Sequence, residues 1–298
     1  LFIADLICTN KTKKINYLCI MMQKNISVII STYNSPQWLQ KVLWGYNTQT
    51  YRNFEMLIAD DGSREETREL IDAMRNEVFY PIIHVWHEDK GFQKSEILNK
   101  ATIAATTDYI VMSDGDCIPR PDFVEQHVKY REEGYFLSGG YHKLPMELSQ
   151  LIGKDDIYSG KCFDMGWLKS HGMGASFKNS KVTAEGIIGE MLNLITPTTP
   201  SWNGHNASGW KTDILAVNGF DERMQYGGQD RELGERLINY GIKPKQIRYS
   251  TICLHLDHPR GYATPESINK NKNIRKVTKE EHRKWTDFGI NKSLQPKL

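Results

Sequence analysis

The sequence predicts an α/β fold in which a mostly parallel central sheet is flanked by helices. Two observations predict it. Short β-branched apolar runs end in polar, turn-forming residues, and stretches with helical apolar spacing alternate with them through the first half of the chain. Strands alternating with helices of about 10 to 15 residues indicate βαβ units and a parallel sheet. Right-handed crossovers then bring the loops that can carry chemistry to the carboxyl ends of the strands.

The elements follow in order. NISVIIST (25–32) is a buried strand by its β-branched apolar run. SPQWLQKVLWGYNTQT (35–50) is a helix headed by Ser-Pro, with Leu39, Val42, Leu43 and Tyr46 on one face. FEMLIADDGS (54–63) is a second strand, and Ser63 with Glu66 forms a capping-box pattern for the helix after it. PIIHVWHE (81–88) is a third strand, KSEILNKATIAATT (94–107) a third helix, and YIVMSDGD (109–116) a fourth strand. Four of these strand ends carry polar groups: 31–34, 60–63, 87–89 and 114–116.

The second half is less regular. A helix is expected near 180–195 and another from about Asp230 to a stop at Gly241, where glycine suits a helix C-terminus. No internal repeat or low-complexity linker divides the chain. The expected organisation is an extension over 1–21 outside the fold, one unit over 22–262 and a basic, helical tail over 263–298. Within the unit, about 22–140 form one half, of regular strand–helix alternation, and 141–262 a second, less regular half. Met21 or Met22, just before the first strand, would be a natural start.

The formal net charge of +2 points to no particular partner and to no nucleic acid. The tail NKNKNIRKVTKEEHRKW (269–285) is strongly basic. It reads either as a solvated helix or as a foot on an anionic membrane or an acidic partner. The cysteines Cys8, Cys19, Cys117, Cys162 and Cys253 are odd in number and lack CxxC spacing, which argues against a disulfide framework and a structural zinc site. A reducing, cytoplasmic setting is expected, with peripheral contact at the inner face of the membrane allowed. No segment has the roughly 18 consecutive apolar residues of a membrane span.

Asp114-Gly115-Asp116 ends the fourth strand. Successive strand residues alternate faces, so Asp114 and Asp116 are expected to meet at one spot, with Gly115 leaving room for a ligand. Two carboxylates there suit a hard divalent cation, Mn²⁺ or Mg²⁺. An Asp-Gly hairpin turn is the alternative, and these residues alone leave the two even. CIPRPDFVEQH, which follows, reads as helical and not as a partner strand.

The chain resembles the family 2 glycosyltransferases with the GT-A fold, a Rossmann-like layout. The pieces that carry the resemblance come in order between about 26 and 262: VIISTYN, LIADDGS, DKGFQKSEILNKA, DYIVMSDGDCIP, VNGFDERMQYGGQDRELGERL and a late histidine pair. The fifth piece also resembles the C-terminal portion of galactosyltransferase-type and chondroitin-polymerase-type enzymes. The resemblance implies a UDP-sugar donor of galactose or N-acetylgalactosamine type, a glycan or glycolipid acceptor and a role in surface polysaccharide synthesis.

By position, the resemblance implies that Ser31 and Asn34 line the nucleoside pocket, that Asp61 accepts the uracil N3–H, and that Lys94 and Asn99 lie beside the nucleotide. Asp114 would touch ribose or metal, and Asp116 would be the firmer metal ligand. His255 is the best further ligand and His258 the second, with Arg260 placed to pair with phosphate. Asp230 falls on the base position of an inverting transfer, with Glu232 as fallback. A helix N-terminus there would make it a weaker base. Gln229 departs from the acidic pair of the pattern, which keeps a non-catalytic sugar or nucleotide-sugar binder as an alternative; a retaining transferase on the same fold is another. Trp202, His205, Asn206 and Trp210 are candidates for an acceptor platform, with core packing as the other reading of either Trp.

Overall fold

The computed structural model describes residues 25–176, 179–259 and 263–292. The extension over 1–21, Cys8, Cys19 and Arg260 lie outside the described residues. The first half follows the expected order: β1 (Ile26–Thr32), α1 (Pro36–Asn47), β2 (Phe54–Asp60), α2 (Glu65–Met74), β3 (Ile82–Trp86), α3 (Lys94–Ala104) and β4 (Tyr109–Asp114). Then come β5 (Cys117–Pro119), α4 (Phe123–Tyr130), β6 (Tyr135–Ser138) and β7 (Gly140–Lys143). Short helices α5 (Met146–Leu151), α6 (Lys154–Tyr158), α7 (Met165–Ser170) and α8 (Ser180–Thr183) lead to α9 (Gly186–Ile195). The chain continues through β8 (Ala207–Trp210), α10 (Lys211–Ala216), α11 (Gln229–Tyr240), β9 (Lys243–Gln246), β10 (Ile252–His255) and α12 (Pro265–Glu280).

A seven-stranded sheet runs β3-β2-β1-β4-β8-β6-β9, and β5-β10-β7 form a second, three-stranded sheet. The pairs β2–β3, β1–β2 and β1–β4 are parallel, whereas β8 runs antiparallel to both β4 and β6. Chain order reverses at β1, between β2 and β4, which makes the crevice beyond their carboxyl ends the place where such sheets bind ligands. Side-chain alternation builds two cores from one strand. Ile26, Val28 and Ile30 pack with Leu39, Val42, Leu43 and Tyr46 of α1, while Ile29 packs with Ile97, Leu98 and Ala101 of α3.

Local structure departs from expectation in places. Ser63 does not cap α2. The helix starts at Glu65 after Arg64, and the Ser63 hydroxyl instead accepts the Asn34 amide at 2.8 Å, tying together the loops that follow β1 and β2. The residues after Asp116 begin with a strand, β5, before α4. β5 pairs antiparallel with β10, with Cys117 opposite His255, and not back onto β4, so the Asp-Gly-Asp turn closes no hairpin. The stretch expected as a helix over 180–195 is two, broken at Gly186 with φ +54°. The basic tail forms α12, docked on α11 by Thr278 Oγ1 donating to Glu232 and by Arg275 and Lys279 paired with Glu235. Among the described residues no helix is long and apolar enough to cross a membrane.

Candidate active site

A cavity of about 520 Å³ opens at the carboxyl ends of β1, β2 and β4. Ser31, Asp61, Lys94, Asp114, Asp116, Asp230 and His255 all line it. Asn34 lies outside it. Its Oδ1 accepts the Arg64 amide at 2.9 Å and its φ is +46°, so its side chain is spent on loop geometry next to the site. Asn99 is buried and its Nδ2 donates to the Phe220 carbonyl at 2.9 Å, so it braces the second half.

The β1–β4 register sets Ser31 beside Asp114. Ser31 Oγ donates to Asp114 Oδ1 at 2.7 Å, and Lys94 Nζ, from the first turn of α3, reaches the same oxygen at 2.6 Å. Burial works against charge on both partners. The attraction of Lys94 nevertheless holds the Asp114 carboxyl below the usual carboxylate range. Asp114, Asp230 and Asp116 together hold the Lys94 ammonium above its ordinary value. Gly115 serves the protein's own packing. Its amide donates to the Ser31 carbonyl at 2.8 Å, and a Cβ there would lie 2.9 Å from that oxygen. The close approach expected for a ligand is thus made by β1 itself.

Asp116 leaves the strand and turns toward the histidines. His258 Nε2 is 2.9 Å and His255 Nε2 3.8 Å from Asp116 Oδ2. Each ring commits its Nδ1 to a backbone carbonyl, His255 to Leu256 at 2.8 Å and His258 to Pro259 at 2.9 Å. An Nδ1–H donor leaves Nε2 as the lone pair, the arrangement that orients metal-ligating histidines. Two such lone pairs facing a carboxylate need a shared proton or cation between them, and the three ligand atoms lie within 4.8 Å of one another. Asp114, Asp116 and Cys117 also lie that close. One oxygen of Asp114, however, already takes hydrogen bonds from Lys94 and Ser31. The donor set of one carboxylate and two imidazoles suits a divalent transition ion, Mn²⁺ included, better than Mg²⁺.

Asp230 enters after Gly227 and Gly228, whose φ values of +110° and +87° only glycine adopts readily. Its side chain packs against Gly204, and Oδ1 is buried without a hydrogen-bond partner. Burial pushes its pKa up, Lys94 opposes this and Asp114 adds to it. This upward shift runs opposite to the lowering expected from a helix N-terminus. Gln229 turns inward, where its Oε1 accepts the Gly227 amide at 3.1 Å and closes the glycine turn. Glu232, the fallback base, is buried in an ion pair with Arg236 at 2.8 Å and does not line the cavity.

Asp61 accepts from His87 Nε2 at 2.7 Å and from the Gln93 amide at 3.0 Å. Burial raises its pKa against both contacts. Lys100 Nζ lies 3.1 Å from His87 Nδ1; an ammonium there donates to the ring, which then presents Nε2–H to Asp61. The aromatic residues of the cavity are not the expected ones. Trp202 is fully buried in the core, and Trp210 packs on Tyr109 with ring centroids 5.0 Å apart. Asn206 is buried, its Nδ2 donating to the Gly140 carbonyl at 2.7 Å. His205 meets Tyr141 edge to face with ring centroids 4.3 Å apart, and burial holds its pKa down to about 4. The cavity instead presents Tyr33, Trp38, Phe92 and Tyr226. Trp38 was legible only as a helix residue, and Phe92 and Tyr226 meet edge to face, 6.1 Å apart, from distant segments.

Residues 27–150 match the family model described as glycosyl transferase family 2. Over these residues the chain is similar to the family 2 glycosyltransferases. Hyaluronan synthase of Pasteurella multocida is 26% identical over 257 residues, covering 84% of this chain and 26% of that protein. Chondroitin synthase of Escherichia coli is 26% identical over 259 residues, covering 78% of this chain and 35% of that protein. The chain thus spans about a quarter to a third of the length of these relatives. Among solved structures, S. aureus TarS 1–349 in complex with UDP-GlcNAc matches with a TM-score of 0.57 at 13% identity, over 85% of this chain and 66% of that one. The mannosyltransferase PcManGT from Pyrobaculum calidifontis, in complex with GDP-Man and Mn²⁺, matches with a TM-score of 0.54 at 16% identity, over 88% of this chain and 63% of that one. The fold of the chain is that of the GT-A glycosyltransferases.

Proposed function

We propose that this protein is an inverting, divalent-metal-dependent glycosyltransferase. It moves a sugar from a UDP-sugar to a hydroxyl of a glycan or glycolipid acceptor in surface polysaccharide synthesis. The observation that carries the reading is a single cavity lined by Asp61, the Asp116–His255–His258 cluster and a buried carboxylate, Asp230. In the transfer, the acceptor oxygen bonds to the sugar C1 as the C1–O bond to the diphosphate breaks. The acceptor proton passes to Asp230 and the nucleoside diphosphate leaves.

Asp61 holds the uracil edge, with its carboxylate fixed by His87 and the Gln93 amide. Lys94 places an ammonium among Asp114, Asp116 and Asp230 and steadies the site's charge before the donor binds. Asp116, His255 and His258 would hold the Mn²⁺ or Mg²⁺, which supplies positive charge to the diphosphate leaving group. The solved neighbours bound to UDP-GlcNAc, and to GDP-Man with Mn²⁺, support a nucleotide-sugar and metal site in this fold. The galactose or N-acetylgalactosamine type of donor rests on the likeness of 217–237 to galactosyltransferase-type enzymes.

Thermal stabilisation by UDP, GDP and CDP, each with Mn²⁺ and with EDTA, tests the reading. A shift selective for UDP that EDTA removes is expected. No shift with any nucleotide would leave a fold without the activity. A UDP shift together with no transfer from any UDP-sugar would favour the non-catalytic binder that the Gln229 departure suggests. An α-linked product from an α-linked donor would favour the retaining alternative.

A further inference from the structure

Helix α9 is amphipathic with its faces exchanged. Its polar side holds the protein. Gly189 lies against the Tyr249 carbonyl. Glu190 Oε1 accepts from Lys129 Nζ at 2.7 Å and from Tyr130 Oη at 3.0 Å. Asn193 donates to Ser250 Oγ at 2.7 Å and accepts the Tyr249 amide at 2.9 Å. Its apolar side faces outward. Ile187, Ile188, Met191, Leu194 and Ile195 are 76%, 66%, 57%, 85% and 69% exposed. Their spacing of i, i+1, i+4, i+7 and i+8 puts them on one stripe. Scattered exposed apolar residues are ordinary, but a continuous stripe on a helix anchored by its polar face marks a contact surface.

The surroundings of α9 are basic. The edge strand β9 joins the helix through Gln246 Nε2, which donates to the Asn193 carbonyl at 3.3 Å. That strand and the turn after it carry Lys243, Lys245 and Arg248, and the α4 end that grips Glu190 carries Lys129 and Arg131. Lys129 pairs with Glu190 and Lys245 with Glu132, and Glu133 and the N-cap Glu185 add negative charge, so the five cations exceed these four acids by one. An apolar stripe bordered by cations fits the boundary between headgroups and acyl chains of an anionic bilayer, where the two attractions add.

We propose that α9 seats this protein on an anionic lipid surface, the stripe entering the bilayer interface and the β9 and α4 cations meeting the headgroups. In the basic tail, Arg275 and Lys279 pair with Glu235 inside the fold. The inference goes beyond the transferase reading and does not depend on it.

Co-sedimentation of the full chain with vesicles tests it, without any sugar nucleotide. Vesicles of phosphatidylcholine mixed with phosphatidylglycerol should bind the protein, and vesicles of phosphatidylcholine alone should bind it much less. The double variant Ile188→Asp/Leu194→Asp should lose about tenfold or more in partitioning. Lys243→Ser/Lys245→Ser should weaken binding only to the anionic vesicles. Far-UV circular dichroism establishes that each variant is folded, and the milder pair Ile188→Ser/Leu194→Ser replaces the first should it unfold. Absence of wild-type binding to anionic vesicles overturns the proposal, and so does a folded stripe variant that binds as well as wild type. A wild-type dimer in sedimentation velocity that the stripe variant dissociates, with no vesicle binding, would assign the face to a second copy and overturn it as well.

Discussion

Replacing Lys94 with methionine keeps the length of the side chain and removes the ammonium that Asp114, Asp116 and Asp230 share. Removing one partner of a fully buried ion pair costs about 3–5 kcal/mol, because the other charge stays buried and uncompensated. Here the Lys94 and Asp114 side chains keep 18% and 22% of their exposure, so water screens part of that loss. A loss of about 2 kcal/mol is expected after this discount. At about 2 °C per kcal/mol for a chain of this size, Tm should fall by roughly 4 °C at neutral pH. The pH dependence follows from the signs. Asp114 has a depressed folded pKa, so its stabilisation is present above the unfolded carboxylate value and is lost as pH falls through the folded one. Lys94 has a raised folded pKa, so its contribution persists up to strongly alkaline pH. In the variant the carboxylates take up protons more readily, so the gap to wild type should narrow as pH falls from about 7.5 toward about 4. Mn²⁺ should stabilise the variant more than wild type, because it restores positive charge to the same carboxylates. Differential scanning fluorimetry across that range, with and without Mn²⁺, reads all three effects. Equal Tm values at neutral pH, or a gap that widens in acid, would refute the charge account of Lys94.

Asp230→Asn should lower kcat by about 10²- to 10⁴-fold while leaving the UDP-induced thermal shift in place, since a lost base removes chemistry and not binding. The wild-type acid limb should lie above the ordinary carboxylate pKa of about 3.9, because burial raises Asp230 and the base must be unprotonated; activity then falls as pH drops through the raised value. His258→Ala and His255→Ala should each weaken Mn²⁺ binding, measured by titration calorimetry with the metal alone, and an unchanged isotherm for both would remove the histidines from the ligand set. Gly139→Ala should destabilise by about 1–3 kcal/mol in a urea melt. Its Cβ would lie 2.0 Å from Asn206 Oδ1, and Asn206 joins the two sheets through the Gly140 carbonyl.

The parallel half was legible because its signals are local. Apolar runs in β1, β2 and β4 and the face of α1 sit within one element each, and the structure puts the same residues in the core. The Asp114 and Asp116 carboxylates were placed near one spot for a reason that only partly held. They belong to a strand end and a turn, and the turn aims Asp116 at the histidines while β1 and α3 claim Asp114. The Ser63 cap and the weaker Asp230 base failed, and the choice left open for Trp202 between platform and core went to the core, for a common cause. Each was argued from sequence neighbours, and each was decided by a contact from a remote segment: Asn34 on Ser63, the core around Trp202, and Gly204 over Asp230.

The sequence by itself determined the alternation of strands and helices, the polar strand ends, and the residue types able to bind a nucleotide and a cation, because periodicity and side-chain chemistry are properties of short segments. The tertiary structure alone decided that His258 lies closer to Asp116 than His255, that Asp230 is desolvated, that Asn34 braces loops, and that α9 presents its apolar stripe outward. Distances between segments more than a hundred residues apart, and the burial that sets a carboxylate's basicity, arise only when the sheets close around a shared cavity.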